Sequence, residues 1–431
     1  MAIPRADAAH LLRRAGFGGT PLEITALAAA DTWTAAVDRV LDTTANPADS
    51  VPAAVMSRED QYYGAWVAAV WHWMDRMATS PTPIVEKMTL FWHGLFTSST
   101  DKVLARLVFQ QVGTYRANAL GDLHDLAQAM ALTPAMLIYL DNETNSVGNP
   151  NENFARELME LFLLGRSQYS EADVVGMAKA WTGHGYYSVG ETYIWYPGRH
   201  DNGNKTIFGI TRAWDGPETI TEMVRGSKQA VCARYIADRL WRFLAGPAPS
   251  ATTLTTLADA FVASGMQIRA LVRAIFLHPD FLAPATRTGL VRSPVEWMAA
   301  SMKVLGLPAS VAHPEWSLER CGQRLYAPPN VGGWRGQESW ISTSTSWGRG
   351  SWAGNCRWAA RDRGVFAGFG DLQPADAATR ALAHFGIDSP IPATRQALED
   401  YVAGERTANR RWAVQPNLVT LCMLSPDFEM A

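Results

Sequence analysis

Two glutamates in the segment NENFARELMELFLL, residues 151–164, have a spacing that could support chemistry. At about 100° per residue, Glu157 and Glu160 share one polar stripe of a helix with Asn153 and Arg156, and apolar residues border the stripe on both sides. Two carboxylates one turn apart can bind a metal ion or share a proton transfer. The alternative is a surface helix in which Arg156 and Glu160 form an ion pair.

Three histidine-containing segments are further candidates. His93 lies opposite the main apolar stripe of the helix predicted in PIVEKMTLFWHGLF, which indicates a half-buried imidazole beside a polar partner. His184 in WTGHGYY, and His200, Asp201 and Lys205 in RHDNGNKT, lie in glycine-rich segments, where functional side chains are often held. The alternatives are a structural histidine for His93 and a turn closed by the Asp201 side chain.

Because unpaired charges between apolar segments are costly, these groups should be paired or metal-bound. The leading hypothesis is a metal-dependent enzyme, oxidative or hydrolytic, acting on a small molecule or a peptide. Nitrogen and oxygen ligands suit iron, manganese or zinc, which could activate oxygen or water. The predicted metal ligands are His93, Glu157, Glu160, His200 and Asp201, and the predicted catalytic residues are His184, Arg156 and Lys205.

The loop LDNETNSVGNPNE could bind calcium. Asp141, Glu143 and Asn145 occupy positions 1, 3 and 5 of a 12-residue loop that ends in Glu152. Position 6 is Ser146, where an EF-hand requires glycine. An asparagine-rich loop that caps neighbouring helices is therefore favoured over a calcium site.

The stretch from residue 328 to 350, PPNVGGWRGQESWISTSTSWGRG, is rich in Gly, Ser, Thr and Trp and has no helical period. It predicts a long ordered loop. Asn330, Trp334 and Trp340 are candidate substrate-binding residues, because indole rings stack on flat ligands such as sugars. The favoured alternative is that the tryptophans anchor the loop on the core. A second hypothesis follows: a non-catalytic scaffold whose loop binds a glycan, a peptide or a partner protein, with the glutamate stripe as a salt-bridge network.

Most of the remaining sequence has helical periodicity, which predicts a mainly α fold, a large multi-helix domain of about fifteen helices. Capping signals predict helices that begin after Thr20, Thr82 and Ser170. The run YYSVGETYIWY, residues 186–196, predicts one short hairpin around Gly190.

The whole chain, 1–431, reads as a single domain. The segment AGPAPSATT suggests two helical lobes, 1–245 and 252–431, and a hairpin and loop insertion spans about 184–215.

Composition excludes several classes of protein. The chain has 38 basic and 41 acidic residues among 431, so it lacks the positive charge that nucleic-acid binding requires. No window is long and apolar enough to predict a membrane span. The four cysteines have no CxxC spacing and the first residues contain no signal-peptide-like apolar stretch, so a reduced cytoplasmic protein is expected.

Several segments together resemble one family. They include AAHLLRRAGFGGTP, KMTLFWHGLFTSS, the stretch from TPAMLIYLDNETN to ELMELFLLG, YSEADVVGMAKAWTG and LYAPPNVGGWRGQESWISTST, and they follow one another in the family's order. The sequence is similar in this way to the bacterial domain of unknown function 1800. The resemblance implies a mainly helical fold, many exported members, and frequent gene adjacency to a sulfatase-like family, which makes a sulfatase-like protein a candidate partner. It implies no established reaction.

Overall fold

The computed structural model describes residues 2–49, 55 and 63–430. Within this part of the chain the polypeptide forms 23 α-helices and two antiparallel two-stranded sheets. The mainly α fold class is therefore confirmed. The helices outnumber the fifteen expected because several are only four to seven residues long, too short for a periodic pattern to reveal them.

The helices before the first strand are α1 (Arg5–Ala15), α2 (Pro21–Ala28), α3 (Trp33–Leu41), α4 (Tyr63–Thr79), α5 (Pro83–Leu95), α6 (Ala105–Ala117), α7 (Leu123–Ala131), α8 (Pro134–Tyr139), α9 (Asn153–Glu157) and α10 (Glu171–Ala180). A π-helix, Leu158–Leu163, continues directly from α9.

The four strands are β1 (His184–Tyr187), β2 (Thr192–Trp195), β3 (Lys205–Ile207) and β4 (Ile210–Arg212). The helices that follow are α11 (Gly216–Arg225), α12 (Gln229–Leu244), α13 (Ala251–Ala263), α14 (Ile268–Leu277), α15 (Pro284–Arg287), α16 (Pro294–Leu305), α17 (Ala309–Ala312), α18 (Pro314–Arg320), α19 (Thr343–Asp362), α20 (Pro374–His384), α21 (Pro392–Thr407), α22 (Arg411–Met423) and α23 (Pro426–Glu429).

The predicted helix starts agree with the structure. The Thr20 hydroxyl accepts a hydrogen bond from the Glu23 backbone, and the Glu23 carboxylate accepts one from the Thr20 backbone, which completes a capping box. Ser170 and Asp173 form the same arrangement at α10. Helix α5 begins directly after Thr82, although the Thr82 side chain makes no capping hydrogen bond.

Helix α5 lies in the interior of the fold. Eleven of its thirteen residues are buried, including the charged Glu86 and Lys87. Arg76 and Arg116 donate to the Glu86 carboxylate over 2.8 and 3.0 Å, and Lys87 donates to Glu296. These ion pairs satisfy charges that would otherwise be costly inside a core, so α5 can carry both polar and apolar groups into the centre of the molecule.

The predicted hairpin is confirmed by β1 and β2, in which His184 pairs with Trp195. A second hairpin, β3 with β4, was not predicted. Its turn residues Phe208 and Gly209 both have positive φ, 50° and 79°. The β-branched residues on either side of Gly209 were a signal for it.

The prediction of an irregular loop over residues 328–350 is wrong in its last part, because helix α19 begins at Thr343. Ser342 caps this helix by accepting a hydrogen bond from the Thr345 backbone. Ser, Thr and Gly are weak helix formers, and here packing of α19 on α18 and α22 overrides their preference. The irregular loop therefore ends at Ser342.

One hydrophobic cluster contains buried residues from α1 to α23. Helix α14 packs on α3, and α16 packs on α4. The predicted lobes and insertion stay predictions. All four cysteines are buried and none forms a disulfide. In the part of the chain that is described, no helix combines the length and the apolar character needed to cross a membrane.

Candidate functional site

The two glutamates lie half-buried where α9 passes into the π-helix. The Glu160 carboxylate accepts hydrogen bonds from Tyr169 at 2.6 Å and from Arg166 at 2.9 Å. Glu157 has no hydrogen bond or ion pair among the described residues, and burial together with the nearby Glu160 raises its pKa. The stripe was predicted with α-helical geometry throughout, whereas the helix widens from Leu158 onward.

Arg156, a predicted catalytic residue, joins two helices instead. Its guanidinium makes two hydrogen bonds of 2.8 Å with the Glu171 carboxylate on α10 and one of 3.1 Å with Glu152. The alternative pairing of Arg156 with Glu160 is therefore wrong. A bidentate pair of this kind holds a guanidinium in a fixed position, which fits a structural role.

His93 is fully buried on α5 and is surrounded by aromatic rings. The ring centroids of Trp73, Tyr326 and Trp334 lie 5.9, 6.0 and 5.2 Å from its own. Neither ring nitrogen has a hydrogen-bond partner among the described residues. Burial lowers the pKa of His93 to about 3, so the imidazole is neutral at physiological pH. The predicted polar partner is absent from its described surroundings.

His184 connects the first hairpin to helix α11. Its Nδ1 lies 3.0 Å from the Tyr193 hydroxyl and its Nε2 lies 2.9 Å from the Asp215 carboxylate. The rings of Trp181 and Trp195 pack against the imidazole with centroids 4.8 and 4.6 Å away. Both nitrogens are engaged, so the imidazole offers no unoccupied atom to a metal ion or a substrate in this arrangement.

His200, Asp201 and Lys205 hold the backbone of the loops around the two hairpins. His200 Nδ1 lies 2.9 Å from the Thr182 carbonyl oxygen. The Asp201 carboxylate accepts a hydrogen bond from the Gly203 backbone at 2.8 Å. The side chain therefore closes a turn, which is the alternative that the sequence offered. The buried Lys205 ammonium donates to the backbone carbonyl oxygens of Asp201 and Trp214.

The five predicted metal ligands do not form one group. Among the described residues, one set of three His, Cys, Asp or Glu side chains has its ligand atoms within 4.8 Å of one another, and it contains Asp122, His124 and Asp125. Asp122 caps α7 and pairs with Arg225 at 2.9 Å, which accounts for its position. The structure therefore does not bring the predicted metal ligands together in a single pocket. Metal dependence itself stays a prediction.

Three of the four residues predicted to bind calcium have other partners. Asp141 pairs with Lys102 at 2.7 Å, and Glu152 pairs with Arg156. Asn145 is buried, where its side-chain oxygen accepts from the Asn151 backbone and its amide donates to the Ala178 carbonyl oxygen. The loop is held together by asparagine side chains, in line with the favoured alternative, and calcium binding stays untested.

A cavity lies elsewhere, between α5, α12, the residues before and within the start of α16, and the Trp-containing loop. Its volume is about 280 Å³, at the small end of the range for ligand sites. We call it the cleft. It is lined by Leu90, Phe91, Gly94, Leu95, Arg239, Arg242, Phe243, Leu290, Val291, Ser293, Glu296, Gln323, Trp334, Arg335, Gly336, Gln337 and Trp340.

Two of the three predicted substrate-binding residues, Trp334 and Trp340, line the cleft. Gly333 positions them: it has a φ of 78°, and a side chain at this residue would collide with the Gly94 carbonyl oxygen of α5. Only glycine therefore lets the loop approach α5 closely enough. Asn330 is not among the lining residues, and its side chain closes a turn by accepting from the Gly332 backbone at 2.9 Å.

Three arginines that the sequence analysis missed line the cleft. Arg242 pairs with Asp238 at 2.7 Å, whereas Arg239 and Arg335 have no ion pair or hydrogen bond among the described residues. Arg239 and Arg242 are three residues apart on α12, so they share one face of that helix. Arg335 comes from the distant loop, which is why only the fold reveals the group.

Apart from the arginines, most polar groups of the cleft already have hydrogen-bond partners within the protein. The Glu296 carboxylate accepts from Lys87, and the Ser293 hydroxyl caps α16. Gln323 accepts from the Val295 backbone at 2.9 Å, and its amide nitrogen has no hydrogen-bond partner among the described residues. The described lining contains no His, Cys, Tyr or Lys, and its hydroxyl and carboxylate, Ser293 and Glu296, are engaged in the helix cap and in the ion pair with Lys87. The unpaired groups are hydrogen-bond donors.

Residues 10–430 match the family described as "Protein of unknown function (DUF1800)". The chain belongs to this family, as the resemblance predicted. Comparisons with curated proteins and with solved structures found no match. The family assignment names no reaction, so the function has to be argued from the cleft itself.

Proposed function

We propose that this protein binds a small anionic ligand with a flat apolar part in the cleft. The single observation that carries the proposal is the position of Arg239 and Arg335, two guanidiniums without partners among the described residues, at an aromatic and aliphatic cavity. A guanidinium recognises carboxylate, sulfate or phosphate groups through paired hydrogen bonds. The indoles of Trp334 and Trp340 offer a surface for a ring or another flat group.

The charge of the lining supports an anion in preference to a cation or a neutral ligand. Three arginines line the cleft, and its one described carboxylate, Glu296, is already neutralised by Lys87. The unpartnered Gln323 amide nitrogen adds a neutral donor. A ligand rich in acceptor atoms would satisfy all of these donors, whereas a cation would meet net positive charge.

Binding is favoured over catalysis because the hydroxyl and the carboxylate of the described lining, Ser293 and Glu296, are already engaged in the cap of α16 and in the ion pair with Lys87. The proposal therefore develops the scaffold hypothesis and not the metal-dependent one. A volume of about 280 Å³ accommodates a small molecule or the end of a peptide. A sulfatase-like partner and a cytoplasmic location are kept as further proposals that rest on the sequence.

Two small ligands of the same shape test the proposal directly. Isothermal titration calorimetry of the full chain is performed with 2-naphthoate and with 2-naphthalenemethanol, which replaces the carboxylate by an uncharged group. We expect the carboxylate to bind at least about tenfold more tightly, because a charge-assisted hydrogen bond contributes about 1.5–3 kcal/mol. Equal affinities, or no binding of naphthoate, would contradict an anion site.

A further inference from the structure

Close to Glu296, cationic side chains outnumber carboxylates in the interior of the described part of the chain. Arg14, Lys87, Arg292 and Arg349 are each no more than 4% exposed. Among the described residues, the buried carboxylate that acts on Arg14 and Arg292 is Glu296, which pairs with Lys87.

Two further groups lie at the edge of this charged cluster. The Glu429 carboxylate lies 3.4 Å from the Arg349 guanidinium, and its side chain is 33% exposed. The half-buried Arg13 has no hydrogen bond or ion pair among the described residues. The interior therefore holds more positive than negative charge.

This excess of positive charge cannot be removed by deprotonation of the arginines near neutral pH. Burial and the neighbouring Arg13 lower the pKa of Arg14 to about 9, and burial with the same neighbour lowers the pKa of Arg292 to about 9. Both values lie above pH 7, so both guanidiniums stay charged. A buried charge without a counterion is costly, so the balance requires an anion.

Hydrogen-bond donors in this cluster also lack partners. Five buried guanidinium nitrogens have no hydrogen-bond partner among the described residues: Arg14 Nε and one of its terminal nitrogens, one terminal nitrogen of Arg292, and the Nε atoms of Arg13 and Arg349. The Arg292 guanidinium stacks on the Phe428 ring, 4.4 Å from its centroid, which leaves its edge free to donate. In native proteins, buried hydrogen-bond donors normally have an acceptor.

A small crevice lies where two of these arginines meet. It has a volume of about 10 Å³, room for about one water-sized particle. Arg13 and Arg292 are the only polar side chains in its described lining. Gly18, with a φ of 98°, and Gly386, with a φ of 71°, line it as well, so backbone that favours glycine keeps this space open.

We propose that a single chloride-sized inorganic anion occupies the crevice between Arg13 and Arg292. The anion accepts hydrogen bonds from the unpartnered guanidinium nitrogens and balances the buried positive charge. Its role is structural: it stabilises the packing of α1 against the start of α16 and against α23, the elements next to the arginines. The site is separate from the cleft, because the two cavities share no lining residue.

Thermal unfolding of the full chain at constant ionic strength tests the proposal, with chloride replaced stepwise by gluconate, which is too large for the crevice. We expect the midpoint temperature to rise by at least about 2 °C between 1 and 100 mM chloride, because an ion that binds only the folded state stabilises it. Bromide should substitute for chloride. A midpoint that does not depend on the halide would overturn the proposal.

Crystals grown with bromide locate the ion without any substitution, since an anomalous scattering peak is expected in the crevice beside Arg13 and Arg292. Absence of this peak at 100 mM bromide would also overturn the proposal. Arg13→Gln should abolish the chloride response, while Arg361→Gln, which changes an exposed arginine paired with its neighbour Asp362, should retain it. The same response in both variants would argue against the site.

Discussion

The indole of Trp334 meets the imidazole of His93 edge-on, with ring centroids 5.2 Å apart and an interplanar angle of 77°. Trp334 lines the surface cleft, whereas His93 is fully buried on α5. This contact joins the wall of the cleft to a helix in the interior of the fold. The neutral His93 thus supports a proposed ligand-binding residue through ring packing, and its role as a metal ligand stays a prediction.

Two buried histidines should make stability depend on pH. Burial lowers the pKa of His93 to about 3, and burial with the nearby Arg14 lowers that of His10 to about 2. Below pH 6.5 the unfolded chain binds a proton on each imidazole while the folded chain does not. The stabilisation is therefore complete above pH 6.5 and decreases as the pH falls, by about 1.4 kcal/mol per histidine and pH unit.

Urea unfolding of the wild type and of His93→Leu between pH 5.0 and 6.5 measures this dependence. The variant should show a shallower slope, by the equivalent of one proton. His313→Gln, which alters an exposed histidine, should keep the wild-type slope. Identical slopes for the wild type and His93→Leu would show that His93 is protonated in the folded state.

Removing the buried carboxylate of Glu296 should destabilise the fold more than removing its cationic partner Lys87. Glu296→Gln leaves Lys87 buried and unpaired beside Arg14 and Arg292, and we expect a loss of about 3–5 kcal/mol. Lys87→Met removes one of several positive charges and keeps an apolar stem, so its cost should be smaller by at least about 1 kcal/mol. Denaturant unfolding of both variants checks the order, and the reverse order would contradict a positive excess in the core.

The two glutamates of the π-helix should differ in their effect on stability. Glu160→Gln weakens the hydrogen bonds from Tyr169 and Arg166 and should cost about 1 kcal/mol. Glu157→Gln removes a half-buried charge without a partner and should change stability by less than about 0.5 kcal/mol. Thermal unfolding checks both values. Elemental analysis of protein purified without chelators accompanies it, and loss of a stoichiometric metal in both variants would favour the metal-dependent hypothesis.

Two glycines of α19 offer a matched test of its packing. A Cβ at Gly348 would lie 2.6 Å from the Cys321 sulfur, whereas nothing lies within 4 Å of one at Gly354. Gly348→Ala should therefore destabilise the fold by about 1–3 kcal/mol. Gly354→Ala should stabilise it by about 0.5–1 kcal/mol, because alanine favours helix. Equal effects in thermal unfolding would show that residues 343–362 are not packed in this way.

The sequence was informative where local chemistry decides the structure. The capping boxes at Thr20 and Ser170 and the first hairpin follow from residues a few positions apart, so they were predictable. Helix α19 was not predicted in full, because tertiary packing stabilises a segment whose own preference for helix is weak. The π-helix was not predicted either, since its sequence has an ordinary α-helical pattern of apolar residues.

The candidate site was predictable only in part. Trp334 and Trp340 stood out because tryptophan is unusual in a loop rich in Gly and Ser. Arg239 and Arg335 did not, because about 100 residues of chain separate them and only the fold brings both to one cavity. Charged residues close together in the sequence, such as Asp201 and Lys205, instead hold the backbone of their own loops.

The most direct test of the anion-binding cleft is the affinity of 2-naphthoate for the double variant Arg239→Ala/Arg335→Ala, measured by calorimetry. Arg234→Ala is the control, because Arg234 lies on the same helix α12, is exposed and is absent from the cleft. We predict that the double variant binds at least about tenfold more weakly than the wild type, while Arg234→Ala binds as the wild type does. Unchanged affinity in the double variant would contradict the proposed function.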